Sequence, residues 1–104
     1  IVNNNLQLLD VYNYPNPFRD ITHFTFLLTR VPDLLTIKIY TIAGRLIKEI
    51  ELNQSELQTN LNRIPWDGRD ADGNPVANGV YIYKINARIN NKNTSVIQKL
   101  AIIR

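Results

Sequence analysis

The chain has 104 residues, enough for one domain of ordinary size, and it contains no cysteine, which excludes disulfides, thiolate metal centres and a cysteine nucleophile. No apolar run approaches the ~20 residues that a membrane-spanning helix needs. The net charge of +3 is unevenly placed: Lys84, Arg88, Lys92, Lys99 and Arg104 fall in residues 79–104 without an acid, and all nine acidic residues lie upstream.

Such a basic tail suits an anionic partner such as nucleic acid or lipopolysaccharide. It equally suits lysines and arginines on the outer faces of edge strands, where charge blocks sheet-to-sheet aggregation. Neither a recognition-helix pattern nor a tight Lys/Arg cluster accompanies it, so no nucleic-acid partner is expected. The chain opens with Ile1 and has no methionine, so residues 1–104 read as a single domain from a longer secreted protein. A signal peptide, if there is one, belongs upstream.

Strand signals dominate in chain order. Leu6–Tyr14 is apolar and can extend. Ile21–Leu28 places Phe24, Phe26 and Leu28 on one face. Leu35–Tyr40 alternates Leu35, Ile37 and Ile39 against Thr36, Lys38 and Tyr40, and Arg45–Leu52 is a further short strand. Residues 53–60 read as a loop or one helical turn. Leu61–Trp66 puts Ile64 and Trp66 on one side. Gly79–Asn90 is the clearest strand, with Tyr81, Tyr83, Ile85, Ala87 and Ile89 facing one way, and Thr94–Ile103 closes the chain. This is period-two patterning in β-branched and aromatic residues. The connections carry turn chemistry: Gly44 in "IAGR", three of the four glycines in "DGRDADGNPVANG", and "NNKN" at 90–93. Seven short strands so spaced predict an all-β fold, a seven-stranded antiparallel Ig-like β-sandwich.

The segment "NYPNPF" at 13–18 interrupts this pattern. Pro15 and Pro17 cannot donate to a ladder, and each holds the residue before it extended. One reading is structural: the segment ends the first strand and crosses to the opposite sheet, anchored by Tyr14 and Phe18. The other is recognition, since a pre-ordered segment loses little entropy when a partner reads it.

Catalytic chemistry is not assembled. His23 stands alone in mid-strand, and Ser55 and Ser95 lack a nucleophile-elbow context. Asp67, Asp70, Asp72 and Asn74 miss the spacing of a calcium loop, because Gly68 and Gly79 fall where ligands belong, so they read as turn-capping residues. Tyr12, Tyr14, Tyr40, Tyr81 and Tyr83 could form a carbohydrate-stacking face, although a small sandwich needs most of its rings for packing. No enzyme activity, metal or other cofactor is expected of this domain.

The stretches "VYNYPNPF", "IKIYTIAGRLIKEI", "IPWDGRDADGNPVANGVYIYKI" and "QKLAIIR", in that order, resemble the type A C-terminal sorting domains of type IX secretion cargo in Bacteroidota. The middle stretch also resembles the Ig-like domain of the flagellar hook-cap scaffold protein. The resemblance runs from about residue 10 to the end. It assigns the sorting family's Pro-x-Pro segment to Pro15, Asn16 and Pro17, its glycine-led hairpin to Gly44-Arg45-Leu46-Ile47, and its terminal strand to Lys99, Leu100 and the residues up to Arg104. "WDGRDADGNPVANGVY" is longer than in many sorting domains and closer to the hook-cap pattern.

What the resemblance implies is a C-terminal secretion signal. An outer-membrane translocon carries the parent protein from the periplasm to the cell surface or medium, and a sortase often removes the tail and joins the parent to anionic lipopolysaccharide. The parent can itself be an enzyme, such as a cysteine peptidase or a sortase component. The last residues are then expected to lie accessible on an open edge, available for strand addition. The alternatives are an Ig-like assembly module of hook-cap type and an accessory domain of a secreted hydrolase. Dimerisation through an edge strand is left open.

Overall fold

The computed structural model describes residues 5–104. Seven strands follow one another: β1 (Leu8–Tyr14), β2 (Thr22–Leu28), β3 (Leu34–Thr41), β4 (Leu46–Asn53), β5 (Asn60–Trp66), β6 (Gly79–Ile89) and β7 (Lys92–Ile102). They form a three-stranded sheet in the order β1-β2-β5 and a four-stranded sheet in the order β4-β3-β6-β7. All strand pairs are antiparallel, so the molecule is the expected Ig-like sandwich.

The inner faces follow from alternation. Phe24, Phe26 and Leu28 on β2 meet Leu35, Ile37 and Ile39 on β3 and Tyr81, Tyr83, Ile85 and Ala87 on β6, all buried. Phe24 and Tyr83 join the two sheets with ring centroids 4.8 Å apart. Each such side chain contributes roughly 1.5–3 kcal/mol on burial. The Tyr83 hydroxyl is buried without a hydrogen-bond partner among the described residues, and burial pushes its pKa above the usual tyrosine range.

Strand β1 departs from simple alternation. Leu9 pairs with Leu27 and Tyr12 with Thr25, so two residues of β1 oppose one of β2. Asp10 takes up the extra residue at φ +50°. This bulge lets both Leu8 and Val11 face the core.

Turns match their residues. Gly44 at φ +92° closes the β3–β4 hairpin, and Asn90 and Asn91, at φ +50° and +64°, close β6–β7 as a tight two-residue turn. Residues 54–56 form one 3-10 turn capped by Asn53, whose side chain accepts from the Ser55 amide.

Two expectations need correction. Segment 13–18 touches the four-stranded sheet at Phe18 but does not carry the chain over to it, because β2 returns to pair with β1 in the three-stranded sheet. Phe18 anchors it from the core, but Tyr14 is 70 % exposed. Nor do edge strands account for all the basic residues. Lys84 and Arg88 lie on β6, an interior strand, because β7 folds back outside it.

Candidate recognition site at the terminal strand

Segment 13–18 lies against the end of β7. Both its prolines lack an N–H, so a side chain supplies the missing pairing. The Asn16 Oδ1 accepts from the Ala101 amide at 3.0 Å, and its Nδ2 donates to the Lys99 carbonyl at 3.3 Å. Phe18 then continues with its backbone, donating to the Ala101 carbonyl and accepting from the Ile103 amide, each at 3.0 Å. The result is a short parallel bridge between Phe18 and Ile102. The peptide bonds Tyr14–Pro15 and Asn16–Pro17 are both cis.

A buried network holds the segment in place. Asn13 Nδ2 donates to Thr22 Oγ1 at 3.1 Å, and that hydroxyl donates to the Pro15 carbonyl at 2.8 Å. Asn16 Nδ2 also donates to Asn13 Oδ1 at 3.2 Å. The Phe18 ring packs 5.7 Å from Trp66, whose indole N–H donates to the Arg69 carbonyl. One step along the same edge, Gln98 Nε2 donates to the Val11 carbonyl at 2.9 Å, linking β7 to the bulge of β1.

The last residue is also fastened. The Arg104 amide donates to Asn78 Oδ1 at 3.1 Å, and Asn78 Nδ2 returns a bond to the Arg104 carbonyl at 3.3 Å. The Arg104 guanidinium donates to the Gly68 carbonyl at 3.2 Å and to the Val76 carbonyl. Gly68, at φ +72°, makes room: a Cβ there would stand 2.7 Å from Arg104 Nη2 and 3.3 Å from Phe18 Cε2.

Of the residues singled out in the sequence, Asn16, Lys99, Leu100 and Arg104 thus come together, with Pro15 and Pro17 framing Asn16. Lys99 takes part through its carbonyl, and Leu100 points into the core at 1 % exposure. Gly44 does not join them; it sits at the β3–β4 turn with open space around it. Asn13, Thr22, Gly68 and Asn78 were missed. Gly68 in the run Trp66-Asp67-Gly68 carried a turn signal, but nothing local marked the polar three as parts of one site.

The open terminal edge expected from the sequence is not present at this end. Side chains Leu100 and Ile102 are in the core, and the backbone from Lys99 to Ile103 is covered by Asn16 and Phe18. Ile103, at 62 % exposure, is the accessible apolar residue of the tail. Towards its start, at Lys92–Ile97, β7 pairs with β6 on one side and has no strand on its outer side among the described residues.

The other candidates resolve into local structure. Asp70 Oδ1 accepts from the Asp72 and Asn74 amides, and Asp67 Oδ1 accepts from the Arg69 amide. These carboxylates cap their own turn. His23 is half-buried on the outer face of β2 between Tyr14 and Pro65. The tyrosines share no single face: Tyr81 and Tyr83 are in the core, Tyr12 and Tyr14 lie outside the three-stranded sheet, and Tyr40 lies on the four-stranded sheet.

The family model described as the FlgD Ig-like domain matches residues 19–91. Among solved structures, the chain is similar to dimeric latent PorU from Porphyromonas gingivalis, with 24% identity and a TM-score of 0.77 over 99% of this chain and 10% of that one. It is also similar to PorZ of Porphyromonas gingivalis, described as an essential bacterial surface component of the type-IX secretion system. There the identity is 32% and the TM-score 0.59, over 90% of this chain and 11% of that one. The chain therefore spans about a tenth of the length of either structure. No curated protein matches it.

Proposed function

The chain belongs to the FlgD Ig-like domain family, and from the pairing of its proline segment with its terminal strand we propose that it serves as a C-terminal sorting domain of the type IX secretion system. In this role it is an address rather than a catalyst. It is one domain of a longer protein and directs that protein from the periplasm across the outer membrane to the cell surface or medium. The partners are the outer-membrane translocon and sortase proteins.

One observation carries this reading. The family match covers residues 19–91, yet Asn16 and Phe18, upstream of it, are hydrogen-bonded to Lys99–Ile103, downstream of it. Two of the four stretches by which the chain resembles sorting domains, the first and the last, thus form one surface built from residues far apart in the sequence. The likeness to PorZ, a type IX component at 32% identity, supports the same reading.

The receptor then reads a composite surface rather than a bare strand. It meets Pro15-Asn16-Pro17, the Lys99 side chain, and Ile103 with Arg104, while Leu100 and Ile102 keep the strand seated. The test is a fusion of residues 1–104 behind an exported reporter in a type IX-competent host, with and without the last five residues. Surface reporter is expected with the whole domain and periplasmic reporter with the truncation. Periplasmic retention of both refutes the reading.

The family match itself favours a second reading, an assembly module of hook-cap type. The same fusion separates the two, because an assembly module gives no surface delivery. A flagellar gene neighbourhood for the parent supports the module.

A further inference from the structure

The outer face of the four-stranded sheet carries a charge arrangement with no part in the terminal-strand site. Lys38 on β3 lies directly opposite Lys84 on β6, with Thr36 opposite Asn86 and Tyr40 opposite Ile82 in the flanking rows. Like charges directly opposite on neighbouring strands destabilise a sheet. Both strands are interior, so edge protection does not account for the pair.

Nothing in the domain neutralises it fully. Glu49 comes within 3.9 Å of Lys38, but both side chains are about two-fifths exposed, where such a contact contributes little. Lys84 has no carboxylate within ion-pair distance among the described residues. Thr36, Lys38, Tyr40, Lys84 and Asn86 line a shallow depression of about 200 Å³. Asn86 is oriented by donating to Asn93 Oδ1 at 3.1 Å. The Thr36 and Tyr40 hydroxyls make no hydrogen bond to another described residue. Two ammonium groups and two hydroxyls therefore line one concavity, while Glu49 and Glu51 stand on the neighbouring β4, opposite Lys38 and Thr36, and none of the carboxylates lines it.

We propose that this depression binds a phosphoryl group. A tetrahedral oxyanion offers acceptor oxygens to both lysines and to a hydroxyl beside them, and its charge relieves the Lys38–Lys84 repulsion. The apolar flank of Tyr40 and Ile82 suits the carbon skeleton that carries the phosphate. A phosphorylated sugar and a phospholipid headgroup present the same chemistry.

The experiment is an amide chemical-shift titration of residues 1–104 with inorganic phosphate, against chloride at equal ionic strength. The expected result is saturable shifts at Thr36, Lys38, Lys84 and Asn86 with phosphate only. Lys84→Gln should weaken binding about tenfold, while Lys92→Gln, at the far hairpin, leaves it unchanged. Sedimentation with phosphatidylglycerol against phosphatidylcholine vesicles then assigns the source. Lys84-dependent pelleting identifies a lipid headgroup, and saturation by glucose 6-phosphate without pelleting identifies a soluble ester. Shifts that never saturate, or equal loss in both lysine variants, overturn the proposal. So does a polyglutamate peptide binding the same residues more tightly than any phosphate compound, since the face would then fit an acidic protein.

Discussion

Asn16 pairs with Ala101 as if it were a strand residue, although its contribution comes from a side chain and 85 positions separate the two. The carboxamide offers the acceptor and donor that a peptide unit offers, in a segment where prolines remove the backbone donors. Asn16→Ala should therefore lower stability by about 1–2 kcal/mol, through loss of its part-exposed bonds to Ala101, Lys99 and Asn13. Hydrogen exchange should speed up more at the Ala101 amide than at Ile85 in the core, where it follows only the global loss of stability. Equal acceleration at both amides would mean that the contact is not local.

Gly68 and Gly44 separate two reasons for glycine. Both have positive φ, but only Gly68 faces close neighbours, Arg104 and Phe18. Gly44→Ala is expected to cost about 1 kcal/mol from conformation alone. Gly68→Ala should cost more, about 2–3 kcal/mol, because it also displaces the Arg104 side chain or the Phe18 ring. Denaturant midpoints for the two variants measure the difference, and equal midpoints would contradict the close approach.

Tyr83 has a buried hydroxyl with no hydrogen-bond partner among the described residues. Removing it by Tyr83→Phe should leave stability unchanged or raise it by up to about 1 kcal/mol. The pH dependence has a definite sign. Burial raises the folded-state pKa, so the unfolded chain gives up this proton first, above about pH 10. The wild type should thus lose stability as pH rises beyond that point. Tyr83→Phe should lose less between pH 9 and 11, as followed by urea unfolding. Identical slopes in the two proteins would contradict the burial of the phenol.

Most strands were legible because alternation survives in them: Phe24, Phe26 and Leu28, or Tyr81, Tyr83, Ile85 and Ala87, mark an inner face without reference to any partner. Strand order was not legible. Lys84 reads as an edge lysine until β7 is known to lie outside β6. The β1 bulge was hidden because Asp10 shows no glycine at its positive φ. The candidate site was visible only as separate pieces. Asn16 and the tail carried the resemblance, but their contact depends on long-range geometry, as does the pairing of Arg104 with Asn78 and Gly68. The expected open edge failed for the same reason: the residues that cover it are remote in sequence.

The central claim is that the joined surface of Asn16–Phe18 and the terminal strand is the export address. It is tested most directly by the surface-delivered fraction of a reporter carrying Asn16→Ala, compared with one carrying Asn53→Ala. Asn53 caps the remote 3-10 turn, and its loss costs a similar ~1 kcal/mol. With melting temperatures matched, Asn16→Ala should reduce surface delivery several-fold while Asn53→Ala exports like the wild type. Equal delivery by the two variants would contradict the claim.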